Sequence, residues 1–396
     1  MLSNNLIIVA CNLPFDWSTD YPYQTSKELS KNNLVICWML QGIPLKEYLL
    51  QRKVPKLFTK QAKNLYFYQP IDILPFRRFP IIYAINMQMS TITLMFIVRF
   101  IQRFRHFKRT ILWVFDPRYT HLYRQLEKRI FFMYDCIDYF RGDPLLSNKQ
   151  QKKLIDHENE LIRTADVVTV NSSILFKIHS PIRTDIHIVP QGFRLDVFVK
   201  NFKSHVGFPT DKPIIGYVGA LNYRLDYHLL VKLAKRLPQY LFVFVGPLQK
   251  DNTLFGVRWL SYARKCLFSL SNVTVIYGVE KKEIKNVIAQ FDIGMIPYDV
   301  SQDFNRYCFP MKLFEYFYVG KPVIATPIKE LKRFPKFVKI GKTVKDWENI
   351  IIKLLSVQWP LDFQKEQKKL AFEEQKKLAF ENRWKNKINQ ILQFIY

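Results

Sequence analysis

The chain has 396 residues, of which 48% are hydrophobic, and its 60 basic and 33 acidic residues give a formal net charge of +27. The length is typical of two domains, and the hydrophobic content excludes an intrinsically disordered chain. The basic excess is spread over both halves, with 28 basic and 16 acidic residues in 1–200. It therefore predicts anionic partners such as phosphates, nucleic acid or a membrane surface, although a compositional bias toward lysine also explains part of it.

The cysteines are odd in number and scattered, and no C-x-x-C pair occurs: Cys11, Cys37, Cys136, Cys266 and Cys308. This pattern argues against a disulfide framework or a zinc site and favours a reducing compartment. The N-terminus lacks a basic stretch, and the apolar run Leu6–Ala10 is too short for a signal peptide. We therefore expect a cytoplasmic protein.

The first half of the chain alternates short apolar runs with amphipathic stretches. Six runs have the length and composition of buried strands: Leu6–Cys11, Leu34–Leu40, Ile111–Phe115, Ile130–Met133, Asp166–Val170 and Ile186–Val189. Strands that alternate with helices predict a parallel, doubly wound α/β sheet. Asp135 and Asp138 follow the fourth run, and their carboxylates are candidates for binding hydroxyl groups or for base catalysis, with helix capping as the structural alternative.

Residues 73–115 hold seven Arg or Lys and no Asp or Glu. The mostly apolar run Phe79–Val98 approaches the ~20 residues that a transmembrane helix needs. Polar side chains interrupt the run, so a basic amphipathic helix on a membrane surface is the better interpretation. We expect peripheral contact with an anionic membrane through residues 77–109, and an ordinary solvated domain helix is an equal alternative.

The same pattern restarts after a polar, turn-rich segment at 199–211. Four further strands are predicted before the final motif: Pro213–Val218, Tyr240–Val245, Val273–Tyr277 and Asp292–Pro297. The sequence thus predicts a first Rossmann-like domain at 1–200 and a second at 201–380. A C-terminal helix at 381–396 is expected to pack back on the first domain.

The first strand of the second half ends in a glycine turn. Gly219 allows close approach of the backbone to a ligand, and the helix that follows favours an anion at its N-terminus. Arg224 is placed to add a charge-assisted bond to a phosphate. Neither a G-x-G-x-x-G nor a G-x-x-x-x-G-K-[ST] motif occurs, so a dinucleotide site and a P-loop are not supported.

The stretch Pro310–Thr326 predicts a helix, a glycine stop and a buried strand. Pro310 suits the first turn of the helix, and Gly320 suits its end. Glu315 lies within this otherwise apolar helix, where a half-buried carboxylate is costly unless a group hydrogen-bonds it.

These stretches together resemble the GT-B glycosyltransferases, and more narrowly the group often labelled glycosyltransferase family 1/4. The closest correspondence is in the second half: Gly216–Leu221 with Arg224–Asp226, Phe244–Pro247, Asp292–Pro297 and Pro310–Thr326. Looser matches lie in the first half: Tyr134–Asp138, Ala165–Val168 with Asn171–Ser173, and Val189–Gly192. The resemblance implies two Rossmann-like domains that face a central cleft.

In that family the C-terminal domain binds a nucleotide-diphosphate sugar. The resemblance implies that Glu315 hydrogen-bonds the ribose hydroxyls, and that Gly219, Arg224 and Lys312 hold the diphosphate. Pairing of Glu315 with a neighbouring lysine or a helix terminus is the alternative. Many members carry a second glutamate eight positions before the motif glutamate, where this chain has Tyr307.

That departure affects the donor sugar, which the second glutamate contacts in those members. Asn305, Arg306 and Tyr307 are candidates to replace it. No histidine matches the catalytic histidine of some members, and Asp138 is the candidate acidic residue on the acceptor side.

The resemblance implies a hexosyltransferase that moves sugar from a UDP- or GDP-linked donor to a saccharide or lipid-linked acceptor in cell-surface polysaccharide synthesis. The donor is a substrate, and no cofactor is expected. No D-x-D occurs in the sequence, so the predicted site is metal-independent. We expect the protein in the cytoplasm or peripherally at the inner face of the plasma membrane. A non-enzymatic protein that binds nucleic acid or an anionic surface is the alternative, but the basic residues are dispersed and no nucleic-acid recognition motif occurs.

Overall fold

The structure is a computed structural model that describes residues 3–11, 21–39, 42–50, 54, 57–76, 79–123, 130–190, 192–198, 205–248, 257–356 and 365–395. The chain divides into two compact units. Unit 1 comprises Met1–Arg141, Asn148–Pro190 and Trp384–Tyr396, and unit 2 comprises Gly142–Ser147 and Gln191–Arg383. The predicted boundary at 200/201 and the first two residues of the predicted membrane segment 77–109 lie outside the described residues.

Unit 1 is built from strands and helices that alternate along most of its length. Its strands are β1 (Leu6–Cys11), β2 (Leu34–Met39), β3 (Ile43–Pro44), β4 (Phe58–Ala62), β5 (Leu65–Tyr68), β6 (Ile71–Asp72), β7 (Thr110–Val114), β8 (Phe131–Cys136), β9 (Val167–Val170) and β10 (His187–Ile188). The first helices of unit 1 along the chain are α1 (Tyr21–Leu29), α2 (Leu45–Leu50), α3 (Pro80–Phe104), α4 (Thr120–Tyr123), α5 (Asn148–Thr164) and α6 (Ser173–His179).

Eight of these strands form one sheet in the order β10-β9-β8-β7-β1-β2-β5-β4. The sheet is parallel except at its edge, where β4 pairs antiparallel with β5. Only Lys63 and Asn64 separate these two strands, and so short a connection allows only an antiparallel pair. A separate parallel pair joins β3 and β6. The predicted α/β fold class is confirmed, while the sequence did not predict β3 to β6.

The described part of unit 2 contains six strands: β11 (Ile214–Val218), β12 (Leu241–Val245), β13 (Val273–Ile276), β14 (Ile293–Ile296), β15 (Val323–Ala325) and β16 (Val338–Ile340). The helices of this unit are α7 (Leu195–Phe198), α8 (Tyr227–Arg236), α9 (Val257–Phe268), α10 (Ile284–Ala289), α11 (Asp303–Arg306), α12 (Lys312–Val319), α13 (Val344–Ser356) and α14 (Lys365–Glu381). The last helix, α15 (Trp384–Gln393), belongs to unit 1 and packs on α1.

The sheet of unit 2 is parallel throughout, in the order β13-β12-β11-β14-β15-β16. The strand order therefore reverses between β11 and β14. In open α/β sheets, ligands bind at such a switch point, outside the carboxyl ends of the strands. The turn at Gly219 follows β11 directly, so it lies at this point of the fold.

Helix α12 is held against the switch point by Tyr316. The Tyr316 hydroxyl accepts a hydrogen bond from the Val218 N–H at 3.3 Å and donates to the Met295 carbonyl at 3.2 Å. Its ring occupies space that a side chain at Gly294 would need, because a Cβ there would lie 2.8 Å from the ring. The helix ends where Gly320 adopts a φ of 74°, as the sequence predicts. These contacts hold the neighbouring Glu315 in a fixed place relative to β11 and β14.

Replacing Tyr316 with phenylalanine is expected to lower the stability of the protein by about 1–3 kcal/mol, because a buried N–H and a buried carbonyl lose their partner. The midpoint of thermal unfolding measures this effect. Tyr277→Phe, at a half-exposed ring, is the control and should leave the midpoint unchanged. Equal midpoints for both variants would contradict the proposed anchoring of α12.

Helix α3 is the one helix in the described part of the chain that is long and apolar enough to cross a bilayer. A third of its most apolar stretch is buried in unit 1. On the buried side, Ser90 accepts a hydrogen bond from the Trp38 indole at 3.2 Å, and the Asn86 amide bonds to the backbone of Leu74. The helix is thus joined to the sheet by specific polar contacts along one side, while the other side faces away from the unit.

Candidate functional site

The glycine turn after β11 brings two backbone segments into direct contact. Gly219 has a φ of +147° and donates a hydrogen bond to the Val245 carbonyl at 2.9 Å. Gly246 has a φ of +146°, and a Cβ on it would lie 2.1 Å from the Gly219 oxygen. Both positions therefore require glycine, for the backbone conformation and for the space. The carboxyl ends of β11 and β12 are left without side chains at these two positions.

Arg224 lies five residues after the turn, half-buried between two aromatic rings. Its guanidinium carbon is 4.7 Å from the centre of the Tyr298 ring and 4.8 Å from that of Phe304. Its Nε donates a hydrogen bond to the Asn305 side-chain oxygen at 2.8 Å. A guanidinium held on its flat faces and at Nε is restricted in orientation, which suits the binding of a phosphate.

Asn305 is fully buried, and its side chain is occupied by protein contacts. Its amide donates to the carbonyl oxygens of Asp299 at 2.9 Å and Arg224 at 3.3 Å. The sequence predicted that Asn305 would touch the donor. The structure places it where it fixes the position of Arg224, and its predicted contact with the donor stays a prediction.

Lys312, the first residue of α12, lies beside the glycine turn. A Cβ on Gly219 would be 3.3 Å from its Cε atom. Its ammonium group donates to the Tyr298 hydroxyl and lies 4.9 Å from the Tyr217 ring centre and 4.7 Å from the Tyr298 ring centre. Tyr298 thus contacts both Lys312 and Arg224 and gathers the two positive charges around one ring.

Glu315 is half-buried one helical turn after Lys312. Within the described residues its carboxylate makes no hydrogen bond and no salt bridge. Burial raises its pKa, and the positive charges of Lys312 and Arg194 oppose that rise. A half-buried carboxylate without a hydrogen-bond donor is costly, so its position is suited to a ligand that brings donors.

Arg306 and Tyr307 have local contacts. The Arg306 Nε donates to the Val300 carbonyl at 3.0 Å, and its guanidinium pairs with Asp303 at 3.1 Å. The Lys329 ammonium lies 4.8 Å from the Tyr307 ring centre. Arg306 is the last residue of α11 and Tyr307 follows it directly, so both adjoin Asn305 in sequence. Their predicted role at the donor sugar stays a prediction.

Asp138 lies in unit 1, in the loop after β8, and is half-buried. The neighbouring Asp135 is fully buried and accepts a hydrogen bond from the Thr169 hydroxyl at 2.9 Å. Burial raises the pKa of Asp135 to about 7. Of the two carboxylates, Asp138 is therefore the one that reaches the surface, and its catalytic role stays a prediction.

Sequence reasoning did not find three residues of the site in unit 2: Tyr217, Tyr298 and Arg194. The positions of Tyr217 and Tyr298 in the sheet could have identified these two residues. Tyr217 is in β11 and Tyr298 follows β14, the two strands that flank the switch point. A strand order derived from the sequence would have indicated both. Arg194 precedes the sheet by many residues, so no local pattern indicates that it approaches Glu315.

Comparison with known proteins agrees with this architecture. Residues 198–358 match the family of glycosyl transferases group 1. Sucrose-phosphate synthase from Thermosynechococcus elongatus superimposes with a TM-score of 0.72 at 14% identity, covering 99% of this chain and 98% of that chain. The chain has the GT-B glycosyltransferase fold. The resemblance and the fold class predicted from the sequence are thereby confirmed.

A second GT-B structure, HepE from Anabaena in complex with UDP and glucose, superimposes with a TM-score of 0.63 at 13% identity, covering 98% of this chain and 99% of that chain. At such identities the likeness concerns the fold alone.

Two proteins from bacteria are similar to this chain in sequence. The putative teichuronic acid biosynthesis glycosyltransferase TuaH of Bacillus subtilis is 28% identical over 216 residues, which is 52% of each chain. The D-inositol 3-phosphate glycosyltransferase of Mycolicibacterium smegmatis is 22% identical over 211 residues, 50% of this chain and 47% of the relative. The chain thus spans about half the length of the curated relatives it matches.

Proposed function

We propose that the protein is a glycosyltransferase whose unit 2 binds a nucleotide-diphosphate sugar. The observation that carries the proposal is the arrangement at the switch point: a bare glycine turn, two positive charges around Tyr298, and a half-buried Glu315 to which no described residue donates a hydrogen bond. A diphosphate complements the glycine turn and the two positive charges, and a ribose diol complements the carboxylate. The complex of HepE with UDP and glucose is consistent with this assignment.

Each group has a definite part in the proposed reaction. The bond between the sugar and the diphosphate breaks, and the leaving diphosphate gains negative charge. Arg224, Lys312 and the backbone N–H groups near Gly219 stabilise that charge, which lowers the barrier when they are in place before the reaction. These groups supply the charge that a metal ion would otherwise supply, so we propose that transfer is metal-independent. Release of the nucleoside diphosphate should continue in the presence of a chelator.

The donor nucleotide can be identified by thermal shift. A ligand at 100 times its dissociation constant stabilises the folded state by ~2.7 kcal/mol. We expect UDP or GDP, and one of their hexose conjugates, to raise the midpoint of unfolding. An acceptor should then be needed for rapid release of the diphosphate. If none of these ligands raised the midpoint, the proposed donor site would be wrong.

We propose a saccharide or lipid-linked acceptor in cell-surface polysaccharide synthesis. The likeness to TuaH, whose name refers to teichuronic acid biosynthesis, supports this class of product. Asp138 is the proposed acidic residue on the acceptor side. An acceptor that is attached to a lipid also suits a protein bound to the inner face of the plasma membrane, which is the location we propose.

The outer side of α3 supports that location. Seven large apolar side chains on this side, the α3 stripe, are between 37% and 76% exposed: Ile81, Ile85, Met89, Ile92, Phe96, Phe100 and Phe104. They recur every three or four residues along the whole helix, which places them on one side. Exposed apolar patches of this extent mark interaction surfaces.

The charge next to the α3 stripe favours an anionic membrane as its partner. Basic residues line a cavity of ≈ 650 Å³ where the helix ends, with Asp166 as its acidic member: Arg105, His106, Lys108 and Arg109. An apolar helix face beside a basic cluster binds in the plane of an anionic bilayer. We therefore propose that α3 lies in the interface with its stripe toward the lipid.

Binding to lipid vesicles tests this proposal. The double variant Phe96→Ser/Phe100→Ser is expected to bind phosphatidylglycerol vesicles at least tenfold more weakly than the native chain, because each buried phenylalanine contributes about 1.5–3 kcal/mol. The native chain should bind phosphatidylcholine vesicles much less, since these lack net charge.

Tyr262→Ser removes a side chain that is 70% exposed in unit 2 and serves as the control. It should bind like the native chain. Native protein that bound neither kind of vesicle, or a double variant that bound as tightly as the control, would contradict the membrane proposal.

A further inference from the structure

Three buried side chains of the kinds that bind metal ions meet in unit 1. Cys136 is the last residue of β8, Glu158 lies in α5, and His179 is the last residue of α6. All three are 0% exposed. The sulfur of Cys136 is 3.6 Å from Oε1 of Glu158 and 3.7 Å from Nε2 of His179, and the latter two atoms are 3.8 Å apart.

The geometry of this Cys–Glu–His cluster matches the size of a metal ion. The three atoms form a nearly equilateral triangle with an edge of about 3.7 Å. The distance from the centre of such a triangle to each corner is the edge length divided by √3, which is about 2.1 Å here. One point is therefore about 2.1 Å from all three atoms. Zinc binds sulfur at ~2.3 Å, imidazole nitrogen at ~2.0–2.1 Å and carboxylate oxygen at ~2.0–2.2 Å.

His179 supplies a second, independent observation. Its Nδ1 atom is buried and has no hydrogen-bond partner among the described residues. Its Nε2 atom points into the cluster, where its nearest contact is the weak one with the Cys136 sulfur at 3.7 Å. Buried ring nitrogens without good hydrogen bonds are rare and costly.

Groups around the cluster orient its carboxylate. The Tyr134 hydroxyl donates to Oε1 of Glu158 at 2.8 Å, and the Arg141 guanidinium pairs with Oε2. Such outer contacts fix the ligands of many metal sites. The thiol proton of Cys136 is released to solvent when the metal binds, so a thiolate and a carboxylate face the two charges of the ion and the one of Arg141.

The same three residue types also occur in nucleophilic enzymes, where the carboxylate and the thiol bind opposite nitrogens of the histidine ring. That relay is absent from this cluster. Both the Cys136 sulfur and the Glu158 oxygen approach Nε2, and no residue that the structure describes forms a hydrogen bond with Nδ1. The three side chains converge on one point, which is the arrangement of metal ligands.

We propose that Cys136, Glu158 and His179 bind one divalent transition-metal ion, with zinc favoured by the mixture of sulfur, imidazole and carboxylate ligands. The ion ties the end of β8 to α5 and α6. This site is separate from the metal-independent donor site proposed for unit 2, and it revises the sequence-based expectation that no metal is bound.

Cobalt binding tests the proposal on the full-length chain. We expect one equivalent of Co²⁺ to give the absorption of a thiolate–cobalt bond, and zinc in excess to abolish it. The signal should be lost in Cys136→Ser and reduced at least tenfold in affinity in His179→Gln. Cys37→Ser removes another buried thiol of unit 1 and should retain the signal.

Thermal unfolding of the native chain provides a second measurement, which does not depend on folding of the variants. Adding a chelator should lower the unfolding midpoint of protein loaded with zinc, and fresh zinc should restore it. Native protein that shows no thiolate–cobalt absorption overturns the proposal. The same holds if Cys136→Ser keeps the absorption, or if zinc leaves the native midpoint unchanged.

Discussion

Glu315→Gln is expected to weaken binding of the nucleoside diphosphate about 10- to 100-fold. Hydrogen bonds to a charged group contribute ~1.5–3 kcal/mol, and glutamine cannot accept two of them from a ribose diol with the same strength. Isothermal titration measures the change. Glu373→Gln, at an exposed position of α14, removes the same charge and should bind like the native chain. Equal affinities for both variants would contradict the role given to Glu315.

The stability of Glu315→Gln shows whether weaker binding comes from a lost contact with the nucleotide or from unfolding of the protein. Burial raises the pKa of Glu315 in the folded state above its value in the unfolded chain. The contribution of Glu315 to stability is therefore greatest at a pH below the unfolded-state pKa, and it is lost as the pH rises through the folded-state pKa. At neutral pH the ionised carboxylate therefore costs stability, and Glu315→Gln is expected to unfold no earlier than the native chain. A variant that binds weakly while its unfolding midpoint is retained would support a direct role in binding.

The raised pKa also predicts how binding depends on pH. Protonation turns one of the two acceptor oxygens into a donor, so affinity should fall as pH is lowered through the raised pKa of Glu315. In Glu315→Gln this dependence should disappear. Titrations at several pH values measure the difference between the two profiles.

Arg224→Met is expected to weaken diphosphate binding about 10- to 100-fold, through loss of a charge-assisted contact. Arg224→Lys should recover only part of the affinity, because a lysine keeps the charge but loses the planar fork that stacks on Tyr298 and Phe304. Lys312→Met should act in the same direction. If Arg224→Met bound the nucleotide as tightly as the native chain, the arrangement at the switch point would not be a diphosphate site.

A double-mutant cycle with Asn305 tests whether this residue positions Arg224 for diphosphate binding. If Asn305 acts by holding the Nε of Arg224, Asn305→Ala should weaken binding in the native background and have little further effect in Arg224→Met. Additive effects would instead indicate that Asn305 touches the donor itself. The coupling in this double-mutant cycle therefore distinguishes positioning from contact, which a single variant cannot do.

Much of the fold follows from local patterns in the sequence. Apolar runs such as Leu6–Cys11 and Ile214–Val218 are continuous because strands of a parallel sheet are buried on both sides. Gly320 indicated the end of α12 because it adopts a left-handed conformation that other residues avoid. The short strands β3 to β6 were not predicted, since β4 is exposed along its whole length and lacks an apolar pattern.

The site was only partly predictable. Gly219, Arg224, Lys312 and Glu315 follow from sequence motifs. Asn305 was identified by its place in the sequence, but its burial depends on contacts with residues about eighty positions away. The Cys–Glu–His cluster joins residues 136, 158 and 179, whose spacing has no metal-binding signature, so only the fold brings them together.

The most direct test of the donor site compares a nucleoside diphosphate with its 2′,3′-dideoxy analogue in the native chain and in Glu315→Gln. We expect that removing the two hydroxyls weakens binding to the native chain about 10- to 100-fold and changes little for the variant, because the partner of the diol is already absent. Equal loss in both proteins, or equal binding of the two nucleotides by the native chain, would contradict it.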